Sequence, residues 1–257
     1  MRRGSFIIVS LFALALSKVA AAFDLEKIAA INKACESFLA LAKDSASTGR
    51  PPRQSDPAVK VLLDIVFDTT EIKSGPPQPM AALQNLNTWN FAVVRVGLVY
   101  ILAGTGIADI SKLPNTPETA QQINHNIVDF APEMGRYLDA ELWIAASIMD
   151  TVGAFITSAS KAQLEEPNFK SGLTKIRAGA TQTIAGVLTT MPVEGLSDAW
   201  RRDRLPALAA IAPIAARFLL ADQARSLRDT ASEVAGRMTD PAVKAALTSF
   251  ASAVAQR

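Results

Sequence analysis

The chain has a single histidine, His125, and it lies four positions before the acidic residue Asp129. This spacing places both side chains on one face of a helix, where they could share a metal ion. His125 could also serve one Ser-His or Cys-His arrangement, but a single histidine excludes multi-histidine zinc sites. Two ligands at helical spacing commonly form an ordinary side-chain pair. We therefore interpret His125 and Asp129 as such a pair and predict no metal site.

Two short motifs match parts of known sites without the rest of their pattern. Ser158-x-x-Lys161 has the form of the Ser-x-x-Lys element of penicillin-recognising enzymes, but Lys-Thr-Gly is absent and no sheet is predicted. Gly104-Thr-Gly106 begins like a dinucleotide-binding fingerprint, yet it follows a predicted helix and continues Ile-Ala-Asp. We interpret it as a helix C-cap. The sequence thus predicts no catalytic residue and no cofactor.

Two charged residues stand inside strongly apolar segments. Arg95 lies within the most apolar predicted helix, and Asp150 lies at the end of the second. Because a lone buried charge is costly, each needs a partner or access to water. We expect Arg95 to pair with Asp150, Asp139 or Glu141. The alternative is an anion site that Arg95 lines in a central cavity.

A cluster of charge and aromaticity occurs at Trp200-Arg201-Arg202-Asp203-Arg204. An exposed tryptophan beside three arginines has the composition of a protein-contact hot spot or an anion patch. We favour the other interpretation, in which Trp200 packs into the core and the arginines are solvated at the start of a helix. The accessibility of Trp200 distinguishes the two.

The N-terminus has the pattern of a cleaved signal peptide. Arg2-Arg3 supplies a positive region, Phe6–Leu16 an apolar region, and Ala20-Ala21-Ala22 the small residues of a cleavage site. The apolar stretch of 11 residues is shorter than the roughly 20 needed to span a bilayer. We therefore predict a signal peptide over 1–22, a periplasmic or secreted bacterial protein that begins at Phe23, and no transmembrane segment in the mature chain. Arg2-Arg3 leaves twin-arginine export as an alternative route.

Removal of the signal changes the charge balance. The full chain has 26 basic and 24 acidic residues, and Arg2, Arg3 and Lys18 lie in the signal. The mature chain therefore has 23 basic and 24 acidic residues, a net charge of −1, which gives no support for nucleic-acid binding. Its one cysteine, Cys35, allows no intramolecular disulfide and lies on the apolar face of a predicted helix, so we expect a buried thiol.

The elements that position these residues are predicted to be helices throughout. Alternating strand patterns are missing, and prolines mark the joints between apolar stripes of helical period. Phe91–Leu102 is apolar nearly all round and is interpreted as a central buried helix, with a strand as the alternative. We predict an all-α bundle of eight or nine helices. The predicted helical segments are 24–43, one that begins at 55, 80–103, 117–130, 132–160, 168–190, one that begins at 197, 219–238, and one from 239 to the end. The segment 132–160 has a possible break at Gly135, and the segment that begins at 197 is expected to be kinked or split by Pro206 and Pro213.

One internal similarity occurs in the chain. Ser55-Asp-Pro-Ala-Val-Lys-Val-Leu-Leu63 matches Thr239-Asp-Pro-Ala-Val-Lys-Ala-Ala-Leu247, whereas the flanking residues do not match. A duplication or independent use of the same cap chemistry could produce it, and we favour the second. We predict a single helical domain over 23–257, with a division near 114–117 or 161–167 as the alternative.

Three classes of function remain open from the sequence. The first, which we favour, is a non-enzymatic interaction protein, because a helical surface is abundant and no chemistry is recognised. The second is a periplasmic binding protein that holds an apolar or amphipathic small molecule between helices. The third is an enzyme that acts through carboxylates, for which Glu165, Glu166, Asp139 and Glu141 are candidates with nothing to select among them.

Overall fold

The protein is built from helices. The computed structural model describes residues 25–45, 50–73, 75–107 and 110–255. It is 82% helical, and the described ranges contain nine helices of seven or more residues and no strand. The prediction of an all-α multi-helix bundle is therefore confirmed. The predicted signal peptide, residues 1–22, lies outside the described residues.

The helices follow one another with short connections. In chain order they are α1 (Leu25–Ser45), α2 (Pro57–Phe67), α3 (Thr70–Lys73), α4 (Leu83–Ile101), α5 (Pro117–Asp129), α6 (Ala131–Ser158), α7 (Lys161–Glu165), α8 (Pro167–Thr190), α9 (Asp198–Asp203), α10 (Leu205–Phe218), α11 (Ala221–Arg237) and α12 (Pro241–Ala255).

The helix starts follow the capping chemistry expected from the sequence. The Asp56 carboxylate accepts a hydrogen bond from Ala58 N at 2.8 Å, and Pro57 occupies the first turn, where no backbone donor is needed. The Asp240 carboxylate accepts hydrogen bonds from Ala242 N and Val243 N at 2.9 and 3.0 Å. The two similar segments thus use the same cap chemistry.

The longest helix, α6, lies between two groups of helices. On one side α4 packs against it, α1 packs against α4, and α2 packs against α1. On the other side α8 and α10 pack against α6, and α11 and α12 close the group. Apolar residues from α1 to α12 form one hydrophobic cluster. Because a domain is defined by independent folding, the single-domain assignment over 23–257 stays a prediction.

Helices α4 and α6 approach each other closely at Gly97. A Cβ atom on Gly97 would come within 2.4 Å of the Tyr137 ring, so only glycine allows this approach. Phe91–Leu102 is helical except for its last residue, and the strand alternative is wrong. In the described part of the chain, α6 alone is long and apolar enough to cross a membrane by length and composition, but 56% of its most apolar window is buried in the bundle.

Two uncertain helix boundaries are settled by the structure. Helix α6 continues through Gly135 without a break, and the guanidinium of Arg204 lies 2.9 Å from the position that a Cβ on Gly135 would take. The helix predicted from 197 is split at Arg204 into α9 and α10. Pro206 lies in the first turn of α10, and Pro213 lies inside that helix.

Candidate functional site

An open groove between α1 and α4 is the larger of two neighbouring hollows at this end of the bundle, with a volume of about 830 Å³. We call it the α1–α4 groove. Its floor is apolar, and one stripe of α4 and the last turns of α1 form most of it. The lining residues are Leu39, Ala42, Lys43, Arg50, Pro51, Arg95, Leu98, Val99, Leu102, Ala103, Gly104, Gly106 and Ile107.

A glycine turn closes one end of the groove. Gly104 and Gly106 have φ values of +70° and +69°, which other residues rarely adopt, so the chain can leave α4 abruptly. The hydroxyl of Thr105 donates to Leu102 O at 2.7 Å, and the Asn126 amide donates to Ile101 O and Ala103 O at 2.9 and 2.8 Å. The chain turns away from α4 at Gly104–Gly106, but the C-cap residue itself is Leu102, so the predicted C-cap lies two residues too late. The bonds from Thr105 and Asn126 satisfy the carbonyls from Ile101 to Ala103.

The polar residues of the groove all have one sign of charge. Lys43, Arg50 and Arg95 line it, and its lining includes no aspartate or glutamate. Within the described ranges neither the Lys43 nor the Arg50 side chain forms an ion pair or a hydrogen bond. This local excess of positive charge contrasts with the net charge of −1 expected for the chain from Phe23 onward. An anionic group would therefore be attracted to the groove.

Arg95 has a different partner from those we expected. Its guanidinium donates to both carboxylate oxygens of Glu36 on α1, lies 5.5 Å from the Phe91 ring and remains 35% exposed. This pairing lowers the pKa of Glu36. Asp150 instead lies 3.6 Å from Arg217. The expected pairing of Arg95 within the core is wrong, because Arg95 lies on the stripe of α4 that faces the groove.

A second, polar hollow adjoins the groove. It has a volume of about 440 Å³, and we call it the polar hollow. His125 Nε2 lies 3.3 Å from the Asp129 carboxylate, as expected of an ordinary pair at helical spacing. The described residues contain no group of three potential metal ligands. The lining residues are Arg50, Pro51, Arg53, Ala103, Gly104, Gln122, His125, Asn126, Asp129 and Phe130.

In the segment Trp200–Arg204, Trp200 and Arg204 are buried, whereas Arg202 lies at the surface. Trp200 is only 8% exposed, and its indole N–H donates to Ala131 O at 2.7 Å. Arg204 forms two hydrogen bonds to Asp139, at 3.1 and 3.0 Å, and its guanidinium lies 4.5 Å from the Trp200 ring centroid. Arg202 donates twice to Asp240. Trp200 is therefore buried, as we favoured, but the expectation of solvated arginines is wrong for Arg204, which is 6% exposed because it pairs with Asp139. These side chains join α9 to α6 and α12.

Two glutamates are buried in α6. Glu133 accepts a hydrogen bond from Gln54 N at 2.8 Å and pairs with Arg53 at 3.3 Å, while its other oxygen has no partner. Glu141 is 1% exposed, neither of its oxygens has a hydrogen-bond partner, and burial raises its pKa to about 7. Neither residue lines the groove or the polar hollow. Glu133 was not among the residues predicted from the sequence. Its position after Pro132, in the first turn of α6, is the signal that could have found it, because the start of a helix has backbone N–H groups without partners.

The remaining candidates line neither the groove nor the polar hollow. Cys35 is 1% exposed, as expected, and burial raises the pKa of its thiol. The Ser158 hydroxyl donates to the backbone of α6, so it forms no catalytic pair with Lys161. Glu165 is exposed and pairs with Lys170, and Glu166 is exposed at the end of α7.

Fold and site therefore define an all-α bundle with a cationic, apolar groove beside a polar hollow. Comparison of the chain with models of protein families, with curated proteins and with solved structures finds no match. Any assignment of function therefore depends on the geometry and charge of the site.

Proposed function

We propose that the protein binds an amphipathic small anion in the α1–α4 groove. The observation that carries this proposal is an apolar floor lined by three cationic side chains, of which Arg95 is paired with Glu36, while Lys43 and Arg50 have no acidic partner among the described residues. The apolar chain of the ligand would cover Leu98, Val99 and Leu102, and its anionic end would lie near Arg50 or Arg95. Burial of the chain supplies the affinity, and the cations select the sign of the head group.

The size of the groove fits a ligand of this class. Its volume of about 830 Å³ lies within the range of roughly 300–1,000 Å³ typical of small-molecule sites. Fatty acids and related surfactants combine an extended apolar chain with one negative charge. A cationic surfactant would meet Lys43, Arg50 and Arg95 unfavourably, and a fully polar anion would leave the apolar floor exposed to water.

This proposal takes the second class of function that the sequence left open. The first class, an interaction protein, was favoured because a helical surface is abundant and no chemistry is recognised. The contact surface that the sequence offered as an alternative, Trp200 and its neighbouring arginines, is largely held by contacts within the bundle, so no described surface stands out in support of that class. The enzyme class lacks support as well, since the raised pKa of Glu141 belongs to a side chain that lines neither hollow.

We also propose that the protein is exported. Support comes from the signal-peptide pattern of residues 1–22, with its positive start, short apolar run and small residues before Phe23. The mass of the protein recovered from its host tests this location. We expect the mass of the chain from Phe23 onward in the periplasm or medium, and recovery of the intact chain in the cytoplasm would contradict it.

Binding is tested by titrating the chain from Phe23 onward with octanoate, decanoate and dodecanoate. Because each buried methylene contributes up to about 0.8 kcal/mol, the dissociation constant should fall about two- to fourfold for each added methylene. Dodecyltrimethylammonium, with the same chain and opposite charge, should bind at least about tenfold more weakly than dodecanoate.

A blocking variant ties this binding to the groove. Leu98→Trp places a bulky ring on the groove floor and should weaken dodecanoate binding at least about tenfold. Leu220→Trp makes the same kind of change at an exposed position at the start of α11 and should bind like the wild type. No dependence on chain length, or equal binding by both variants, would refute the proposal.

A further inference from the structure

The groove and the polar hollow adjoin each other. Both are lined by Arg50, Pro51, Ala103 and Gly104, so one molecule can occupy the two without leaving the surface. The hollow has a volume of about 440 Å³, much more than a carboxylate group fills. An extended ligand with its chain in the groove would place a larger polar head in the hollow.

The polar hollow is rich in cationic and hydrogen-bonding side chains. Arg50 lies where the two hollows meet, and the described residues give it no partner. Arg53 is held in place, because it donates to Asp129 O at 2.9 Å, lies 3.3 Å from the Glu133 carboxylate and stacks on Phe130. His125 is 64% exposed at the rim of the hollow.

The negative groups near the hollow already have partners. Asp129 is the one acidic residue in its lining, and its carboxylate lies 3.3 Å from His125 Nε2. The carboxyl end of α4 also carries partial negative charge, but the Asn126 amide donates to two of its last carbonyls. An anionic head would therefore lie against Arg50, which has no partner among the described residues, and away from the Asp129 carboxylate.

From this arrangement we infer that the polar hollow binds a phosphate ester head group whose apolar chain lies in the α1–α4 groove. This inference rests on the proposed function and deepens it by naming the head. A phosphate ester carries up to two negative charges and presents several acceptor oxygens, which match the planar guanidinium of arginine. A single carboxylate would pair with Arg50 alone, and the rest of the polar hollow would stay filled with water.

The test compares two ligands with the same acyl chain, dodecanoate and monododecanoyl glycerol phosphate, below the concentrations at which they form micelles. The wild-type chain from Phe23 onward should bind the phosphate ester about tenfold more tightly, the equivalent of one additional charge-assisted hydrogen bond. His125→Glu adds negative charge at the rim of the hollow and should remove most of that advantage. Asn124→Glu adds the same charge at the neighbouring exposed position of α5, outside the hollow lining, and should keep it.

Each outcome separates this inference from the proposed function. Dodecanoate binding by His125→Glu within about twofold of the wild type establishes that the groove is intact. Equal affinity of the wild type for both ligands, or an undiminished phosphate advantage in His125→Glu, would overturn the head-group assignment and leave the groove proposal standing. Failure of both ligands to bind the wild type would overturn both.

Discussion

Replacement of Glu141 by glutamine should make the protein more stable at neutral pH and change how its stability depends on pH. Glu141 is 1% exposed, and both carboxylate oxygens lack a hydrogen-bond partner. Burial raises its pKa from 4.5 to about 7 in the folded protein, although the Tyr137 hydroxyl, which is near the carboxylate without forming a hydrogen bond of ordinary geometry, favours the charged form. A change of this size corresponds to roughly 3 kcal/mol of free energy of unfolding.

The sign follows from which state binds the proton. Between pH 4.5 and 7 the unfolded chain loses the Glu141 proton while the folded protein keeps it, so unfolding becomes easier as the pH rises. The contribution of Glu141 to the free energy of unfolding is therefore most favourable below about pH 4.5. It falls between pH 4.5 and pH 7 and is constant above about pH 7. Glutamine keeps the size of the side chain and removes the titration, so its own hydrogen-bonding cost does not vary with pH.

Urea unfolding of wild type and Glu141→Gln at several values from pH 4 to pH 8, followed by circular dichroism, measures this effect. The stability of the variant relative to the wild type should rise by about 3 kcal/mol across this range, and subtraction cancels the other titrating groups. Glu194→Gln, in the exposed connection before α9, is the matched control and should show no comparable rise. A difference that stays constant with pH would refute the assignment of Glu141 as a buried, neutral acid.

Two further predictions concern the contacts that hold α6 in place, and chemical unfolding checks both. Gly97→Ala should lower the free energy of unfolding by about 2 kcal/mol, because its methyl group would lie 2.4 Å from the Tyr137 ring. Gly236→Ala, where no atom lies within 4 Å, should instead raise it by up to about 1 kcal/mol, and a loss equal to that of Gly97→Ala would contradict the packing explanation. Arg204→Lys should cost about 2–3 kcal/mol, because lysine cannot make both hydrogen bonds to Asp139, and an unchanged stability would mean that this pair contributes nothing.

The helical fold was largely predictable because local signals and the final structure agree. The Asp56-Pro57 and Asp240-Pro241 pairs mark helix starts by chemistry that operates within a few residues. The Gly104–Gly106 turn likewise depends on the conformations available to glycine. The buried state of Cys35 followed from its place on an apolar helical face.

The site was harder to predict because it depends on how α4 is rotated against its neighbours. Leu98 and Leu102 have the same apolar character as the buried residues around them, so sequence does not distinguish a groove floor from a core. Arg95 shares their stripe and therefore reaches Glu36 and the groove rather than α6. The partners of Trp200 and Arg204 come from positions far away in the chain, which residue spacing alone does not reveal.

Native mass spectrometry of the protein purified from its own host tests the central proposal most directly. The groove account predicts that part of the protein carries a bound molecule of a few hundred daltons, which denaturation releases and negative-ion analysis identifies as an amphipathic anion. The Leu98→Trp variant should lose this mass, and Leu220→Trp should retain it. A bare chain mass in the wild type, together with no uptake of dodecanoate on titration, would contradict the account.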